Sequence, residues 1–223
     1  MTDPNIYLRL LFCITSFLGV ILLSFAIFKI PILRYHKSIT IMGLATGLMT
    51  YYLRYVDKLA MSPLFTILIF IILLMVLLKL PLFYSFIIAT TGLFTASLVD
   101  TFISAISINL GMNFNPIHNT IWEFIMLNMI YNLIMFSLSF FLVRKSIGFS
   151  FISRKFNKGY LDKYNYYWAA ILVIGFFVMQ LNVFALIEAF YHFVALIFLF
   201  FVLLGILIYS YIQNKKHIRD RFS

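Results

Sequence analysis

The stretch LLFCITSFLGVILLSFAIF, residues 10 to 28, contains no charged side chain and lies between Arg9 and Lys29. A helix that crosses about 30 Å of hydrocarbon needs about 20 residues, because each residue adds about 1.5 Å. The stretch therefore predicts a transmembrane helix. A cleaved signal peptide is disfavoured, because the apolar run is too long, no basic residue precedes Arg9, and no small-residue cleavage pattern follows.

The rest of the chain repeats this pattern of apolar runs between charged or strongly polar residues. Seven segments are long enough to predict membrane spans: 10–28, 38–55, 59–78, 80–99, 124–143, 164–187 and 193–214. The runs are continuous, whereas strands of a membrane barrel alternate between apolar and polar residues. With 64% hydrophobic and 11% charged residues, the chain has more apolar surface than a soluble core of this size buries. We predict an all-α polytopic membrane protein with about seven transmembrane helices in one domain, residues 1–223.

Basic residues are distributed unevenly about these spans, and the net charge is +10. Threading the chain through seven spans places 14 of the 17 Lys and Arg on one side, and only Arg9, Arg54 and Lys58 on the other. Basic residues are retained on the cytoplasmic side of a membrane. We therefore predict that the amino terminus is outside and the carboxyl terminus inside. The charge indicates topology and contact with anionic lipid headgroups, and it does not indicate nucleic-acid binding.

Two connections between spans are long, and they differ in charge. Residues 101–123 contain no Lys or Arg and are predicted to lie outside, whereas residues 144–163 carry six basic groups and are predicted to lie inside. Phenylalanine and isoleucine alternate with the cations of 144–163, which suits either a segment in the headgroup layer or a docking surface for a cytoplasmic partner. Candidate lipid or partner contacts in this connection and in the carboxyl tail are Arg154, Lys155, Lys158, Lys215, Lys216, Arg219 and Arg221.

A short motif occurs twice, as FKIPIL at 28–33 and LKLPLF at 78–83. In both copies a lysine follows an apolar run, where it offsets the negative end of the helix dipole. A proline two residues later begins the next helix. The repeat indicates either a duplicated two-helix hairpin, as in many transporters, or a shared way of ending a helix.

Polar side chains toward the outer side of the spans are candidates for ligand binding. At the span edges they are Asp100, His118, Glu123, Glu188 and His192, and within the spans they are Asn128, Asn132, Gln180 and Asn182. The edge residues are either solvated or bind a cation or a basic peptide. The amides either hydrogen-bond between helices or bind a ligand. Because no motif has metal-ligand spacing, no metal or cofactor is expected.

Gly43 and Gly47 lie four residues apart in GLATG, residues 43–47, and allow another helix to approach closely. That helix belongs either to the same chain or to a second copy in a homodimer. Catalysis has little support, since the sequence contains no Walker loop and no Ser-His-Asp pattern. Cys13 is the single cysteine, so no intramolecular disulfide forms, and a cysteine peptidase would need a histidine within its reach.

Several landmarks together resemble a known family. They are AIFKIPILRYHKSI at 26–39, YYLRYVDK at 51–58, LLKLPLFYSFIIATTGLFTASLVD at 77–100 and RKSIGFSFISRK at 144–155. This series resembles the transmembrane sensor region of Gram-positive GHKL-type histidine kinases, a group that includes peptide quorum-sensing receptors. The resemblance covers nearly the whole chain and implies a bacterial plasma membrane.

In that family the last transmembrane helix continues into a phosphoacceptor histidine and an ATPase domain. Here the sequence ends at Ser223, and the surroundings of His217 do not match a phosphoacceptor motif. We therefore expect a non-enzymatic sensor-like or accessory regulatory protein that couples an external signal to a separate partner, such as a histidine kinase or another membrane protein. The alternatives are a small-molecule transport component and, less favoured, an intramembrane peptidase.

Overall fold

The computed structural model describes residues 6–57, 62–109 and 121–149, together with eight helical positions between 197 and 212. The three continuous ranges contain five α-helices and no strand. These helices are α1 Ile6–Ile27, α2 His36–Tyr51, α3 Ser62–Leu78, α4 Leu82–Asn109 and α5 Ile121–Arg144. A 3-10 turn at Ile32–Tyr35 precedes α2, and a π-helical turn at Tyr52–Val56 follows it. The predicted all-α class is confirmed for the described residues.

Each of the first five predicted spans coincides with a helix. Among the described residues, three helical segments are long and apolar enough to cross a membrane: Ile6–Ile27, Leu82–Ser104 and Trp122–Arg144. The apolar part of α3, Phe65–Leu78, is shorter. The predicted span at 164–187 lies outside the described residues, and 193–214 is described only at isolated positions. The count of seven spans and the orientation remain predictions.

The end of α4 differs from the predicted boundary at residue 99. The helix continues to Asn109, so the first part of the predicted connection 101–123 is helical. The hydroxyls of Thr101, Ser104 and Ser107 each donate to the carbonyl four residues earlier, at 2.7 to 2.8 Å. These bonds satisfy the hydroxyls within the helix, so polar side chains do not end it. Residues 121–123, at the other end of that connection, already belong to α5.

The relative directions of the helices follow from cross-helix contacts. Gly43 lies against Leu18 and Gly47 against Ile14, so α2 runs antiparallel to α1. The side chains of Thr50 and Thr66 hydrogen-bond at 3.1 Å, which brings the end of α2 to the start of α3. Residues 79–81 then turn the chain directly from α3 into α4. Consecutive helices from α1 to α4 therefore alternate in direction.

The fifth helix runs parallel to α1. Phe12 stacks edge-on against Phe124 with their ring centroids 5.8 Å apart, and Asn132 hydrogen-bonds to Thr15. One end of the bundle thus contains the carboxyl ends of α1, α3 and α5 and the amino ends of α2 and α4. Lys29, Lys79 and Arg144 lie at these carboxyl ends, so this end is called the basic end, and the other is called the opposite end.

The first helix lies at the centre of the described bundle, since it packs against α2, α4 and α5. Glycines make these approaches close. An added Cβ at Gly47 would lie 2.6 Å from the Ile14 Cα, and one at Gly92 on α4 would overlap the Ser24 hydroxyl. One at Gly19 would lie 3.1 Å from the Met135 Cβ on α5. Gly43 and Gly47 therefore face an intramolecular neighbour, α1, rather than a second copy.

Candidate functional site

A partly buried hydrogen-bonded pair joins α1 to α5 midway along both helices. The Asn132 Nδ2 donates to the Thr15 Oγ1 at 3.1 Å, and the Thr15 hydroxyl donates to the Leu11 carbonyl at 3.0 Å. The single hydroxyl proton is directed to its own helix, so Thr15 can only accept from the amide. The Asn132 Oδ1 is buried and has no hydrogen-bond partner among the described residues. An unpaired buried acceptor of this kind costs about 1–3 kcal/mol.

The other predicted amide on α5 is arranged differently. Asn128 donates from its Nδ2 to the Phe124 carbonyl of its own helix at 2.8 Å. Asn132 therefore makes the interhelical bond, whereas the amide group of Asn128 bonds within α5. The two residues lie on one side of α5, as their spacing predicts, but they have different partners.

Two arginines and two aromatic rings form a cluster at the opposite end. The Arg9 guanidinium carbon lies 5.2 Å from the centroid of the Tyr55 ring and 5.9 Å from that of Phe124. The Arg54 guanidinium carbon lies 5.8 Å from the Tyr55 centroid. These distances allow cation–π attraction. The π-helical turn places Arg54 and Tyr55 here, and such turns are frequent at functional sites. The cluster links α1, α5 and the end of α2.

The amino-acid sequence alone does not indicate this cluster. Arg9 and Arg54 are cations on the less basic side, and nothing in the sequence indicates that both lie beside the Tyr55 ring. The contacts arise because the directions of the helices bring the starts of α1 and α5 together with the end of α2. The sequence signal that could have indicated the cluster is an arginine close to aromatic residues at the end of a predicted span, as Arg54 is to Tyr55.

Two of the acidic residues predicted as ligand-binding candidates, Asp100 and Glu123, are among the described residues, and both lie toward the opposite end. Asp100 lies exposed on α4, and Glu123 lies in the first turn of α5. In the described part of the chain, no group of three or more His, Cys, Asp or Glu could hold a metal ion. The remaining ligand candidates lie outside the described residues: His118, Gln180, Asn182, Glu188 and His192.

Cys13 has no histidine beside it among the described residues. It lies partly buried in the amino-terminal half of α1. His36 is the histidine within the described ranges, and it opens α2 at the basic end, where its Nδ1 lies 3.0 Å from the Leu33 carbonyl. The peptidase alternative gains no support from this arrangement.

At the basic end, the carboxyl terminus of α1 is closed by its own cap. The Ile30 amide donates to the Phe25 carbonyl at 2.9 Å, and the Lys29 amide donates to the Ala26 carbonyl at 3.2 Å. This pair of bonds is a Schellman cap, and its left-handed residue is Lys29, with φ 50°. Ile30 and Phe25 are both buried, which supplies the apolar contact that accompanies such a cap.

The segment after α5 closes the same terminus from another side. The Phe149 amide donates to the Ile27 carbonyl at 2.7 Å, and the Phe149 ring lies 6.5 Å from the Phe28 ring. Gly148 has φ 148°, and an added Cβ would lie 2.5 Å from the Ile27 oxygen and 2.9 Å from the Ala26 oxygen. Residues 145–149, called the docking turn below, therefore fix the start of the predicted basic connection 144–163 on α1.

The two ends differ in charge among the described residues. The basic end carries six exposed cations: Lys29, Arg34, Lys37, Lys79, Arg144 and Lys145. The described acidic residues Asp57, Asp100 and Glu123 lie toward the opposite end. This agrees with the uneven distribution predicted from the sequence. The further predicted contacts at Arg154, Lys155, Lys158, Lys215, Lys216, Arg219 and Arg221 lie outside the described residues.

Lysine occupies an unusual backbone conformation at both copies of the repeated motif. Lys29 has φ 50° and Lys79 has φ 54°, in the left-handed region where glycine is the usual residue. For another residue this conformation costs about 1–2 kcal/mol. The two copies thus share a backbone geometry as well as a sequence, and each is followed by a buried residue, Ile30 or Leu80.

Comparison with family models, with curated proteins and with solved structures finds no match for this chain.

Proposed function

We propose that this chain is a sensor-like or accessory regulatory protein of the bacterial plasma membrane, which couples an external signal to a separate partner protein. In this proposal the opposite end of the bundle faces outside and the basic end faces the cytoplasm. The orientation is supported by the excess of basic residues at one end, since such residues are retained inside. The resemblance to the sensor region of histidine kinases supports the same role.

The observation that carries the proposal is the pair of contacts at the two ends of α1. At the opposite end, α1 contributes Arg9 to the arginine–aromatic cluster. At the basic end, Ile27 of the same helix accepts the bond from the docking turn. A helix is stiff along its axis, so a displacement of α1 at one end is transmitted to the docking turn at the other.

The proposed mechanism is a shift between two packings of α1. A ligand that contacts the arginine–aromatic cluster better in one packing increases the population of that packing. The docking turn then changes its position relative to α1, and with it the basic connection that follows. Small shifts of packed helices are a known form of switching. The partner, a histidine kinase or another membrane protein, binds this connection.

The experiment is to purify the protein gently from its native membrane and to record intact-complex mass spectra. We expect a regulatory protein in fixed stoichiometry with wild type. Gly148→Val should insert normally but retain less partner, because the docking turn no longer fits against Ile27. Ile147→Ala, an exposed neighbour in the same turn, is the matched control and should retain it. The absence of any protein partner, or equal retention by Gly148→Val, would contradict the proposal.

A transport component is the second candidate, and a single observation favours it. The Asn132 Oδ1 is a buried acceptor that no described residue satisfies, and a translocated molecule with an N–H or O–H group would satisfy it. If this is its role, Asn132→Leu should abolish uptake of the transported substrate into native membrane vesicles, whereas Asn128→Leu should not. A stoichiometric ATPase without any signalling protein in the mass spectra would favour this candidate over the sensor.

A further inference from the structure

Both copies of the repeated motif expose a lysine at the basic end, Lys29 and Lys79. In each copy, the residue after the lysine, Ile30 or Leu80, is buried in the hydrophobic core and anchors the turn between two helices. Glycine is the favoured residue at the positions of Lys29 and Lys79, because their φ values are positive. Strained backbone persists where the surroundings enforce it, and an observed outlier is a reason to look for a function of the side chain.

Among the described residues, the charge around these lysines has one sign. Arg34 lies in the 3-10 turn between α1 and α2, and Lys37 lies in the first turn of α2. Arg144 and Lys145 lie at the end of α5. The described acidic residues all lie toward the opposite end, so none of them neutralises this group. The basic end therefore has a field that attracts anions.

Apolar side chains are exposed between the cations. Leu33, next to Arg34 in the 3-10 turn, is 90% exposed, and Ile147 in the docking turn is 51% exposed. Such exposure is unfavourable in water but is favourable where a helix end enters the boundary between headgroups and acyl chains. An acidic protein surface would pair with the cations but would give these two side chains no apolar surroundings.

We propose that the basic end is a binding surface for anionic lipid headgroups, with Lys29 and Lys79 as its principal phosphate contacts. Arg34, Lys37, Arg144 and Lys145 add attraction, and Leu33 and Ile147 contact the acyl chains. The proposal goes beyond the signalling role and does not depend on it, since it concerns the bilayer and not a partner protein. It implies that the packing at the carboxyl ends of α1 and α3 is stabilised by lipid charge.

The test uses the full chain in nanodiscs of phosphatidylcholine alone and of phosphatidylcholine mixed with phosphatidylglycerol. The readouts are the thermal unfolding midpoint and the number of phosphatidylglycerol molecules retained in intact-complex mass spectra. Wild type should unfold at a higher temperature with phosphatidylglycerol, and the difference should shrink as salt is added. Lys29→Gly/Lys79→Gly should lose most of this difference, although in phosphatidylcholine its midpoint should be unchanged or higher, because glycine relieves the backbone strain.

Two variants separate charge from strain. Ser146→Gly relieves a third left-handed residue, φ 51°, without removing a cation, and it should keep the full phosphatidylglycerol-dependent shift. Lys29→Gln/Lys79→Gln removes the charges but keeps side chains at the strained positions, and it should lose the shift as the glycine variant does. The proposal is overturned if phosphatidylglycerol does not shift the midpoint of wild type, if either double variant keeps the shift, or if Ser146→Gly loses it equally.

Discussion

The backbone amide of Phe149 donates a 2.7 Å hydrogen bond to the carbonyl oxygen of Ile27, the last residue of α1. The last carbonyls of a helix have no partner within it, so they are available to a segment from elsewhere. Here the segment is the docking turn after α5, and the bond joins the central helix to the start of the basic connection. This relationship makes the docking turn part of the packed bundle.

Gly148 is predicted to be essential to this contact. Gly148→Ala should lower the free energy of unfolding by about 1–3 kcal/mol, because φ 148° is strained for a side chain and the Cβ would meet the Ile27 oxygen. Unfolding by denaturing detergent measures the change. Ser146→Gly, in the same turn, should leave stability unchanged or raise it by up to about 1 kcal/mol. A Gly148→Ala variant as stable as wild type would show that the docking turn does not contribute to stability.

The two glycines of α2 should differ in their tolerance of alanine. An added Cβ at Gly47 meets the Ile14 backbone, which cannot rotate away, whereas at Gly43 it meets the end of the flexible Leu18 side chain. Gly47→Ala should therefore destabilise by about 1–3 kcal/mol and Gly43→Ala by less. Leu44→Ala, at an exposed position between them, is the control. The reverse order in detergent unfolding would contradict the packing of α2 on α1.

The Thr15–Asn132 pair predicts an asymmetric double-mutant cycle. Thr15→Val should destabilise by about 1–2 kcal/mol, because it leaves the whole Asn132 amide without a partner. Asn132→Leu should cost less, since it also removes the unpaired Oδ1, and the double variant should resemble Asn132→Leu. The coupling energy from the four unfolding curves measures the bond. A coupling near zero would mean that the two side chains do not interact.

The arginine–aromatic cluster is expected to stabilise the opposite end. Tyr55→Leu keeps an apolar side chain but removes the aromatic ring beside both Arg9 and Arg54, and it should lower the free energy of unfolding by about 0.5–2 kcal/mol. Tyr35→Leu, which removes the ring beside the exposed Arg34, should cost less because that pair includes only one cation. Stability measurements on both variants test this difference. Equal effects would show that the second arginine adds nothing.

The first five helices could be predicted from the sequence because the property that defines them is local. A run of apolar residues bounded by charges indicates a helix without knowledge of its neighbours, and the unequal charges predict which ends lie together. The helix α4 extends beyond the predicted span 80–99, because Ser and Thr after residue 99 hydrogen-bond to their own helix and need no water. Polar residues alone therefore do not mark the end of a helix.

The sequence by itself determined the helical class, the approximate positions of the described helices and the charge asymmetry of their ends. Only the tertiary structure decided that Gly47 meets Ile14, that Asn132 bonds to a residue 117 positions away, and that Gly148 fits against the end of α1. The physical reason is that composition and spacing act along the chain, whereas these contacts depend on the direction and rotation of helices that are distant in sequence. Many residues on each apolar face are equivalent in hydrophobicity, and close packing selects which of them touch.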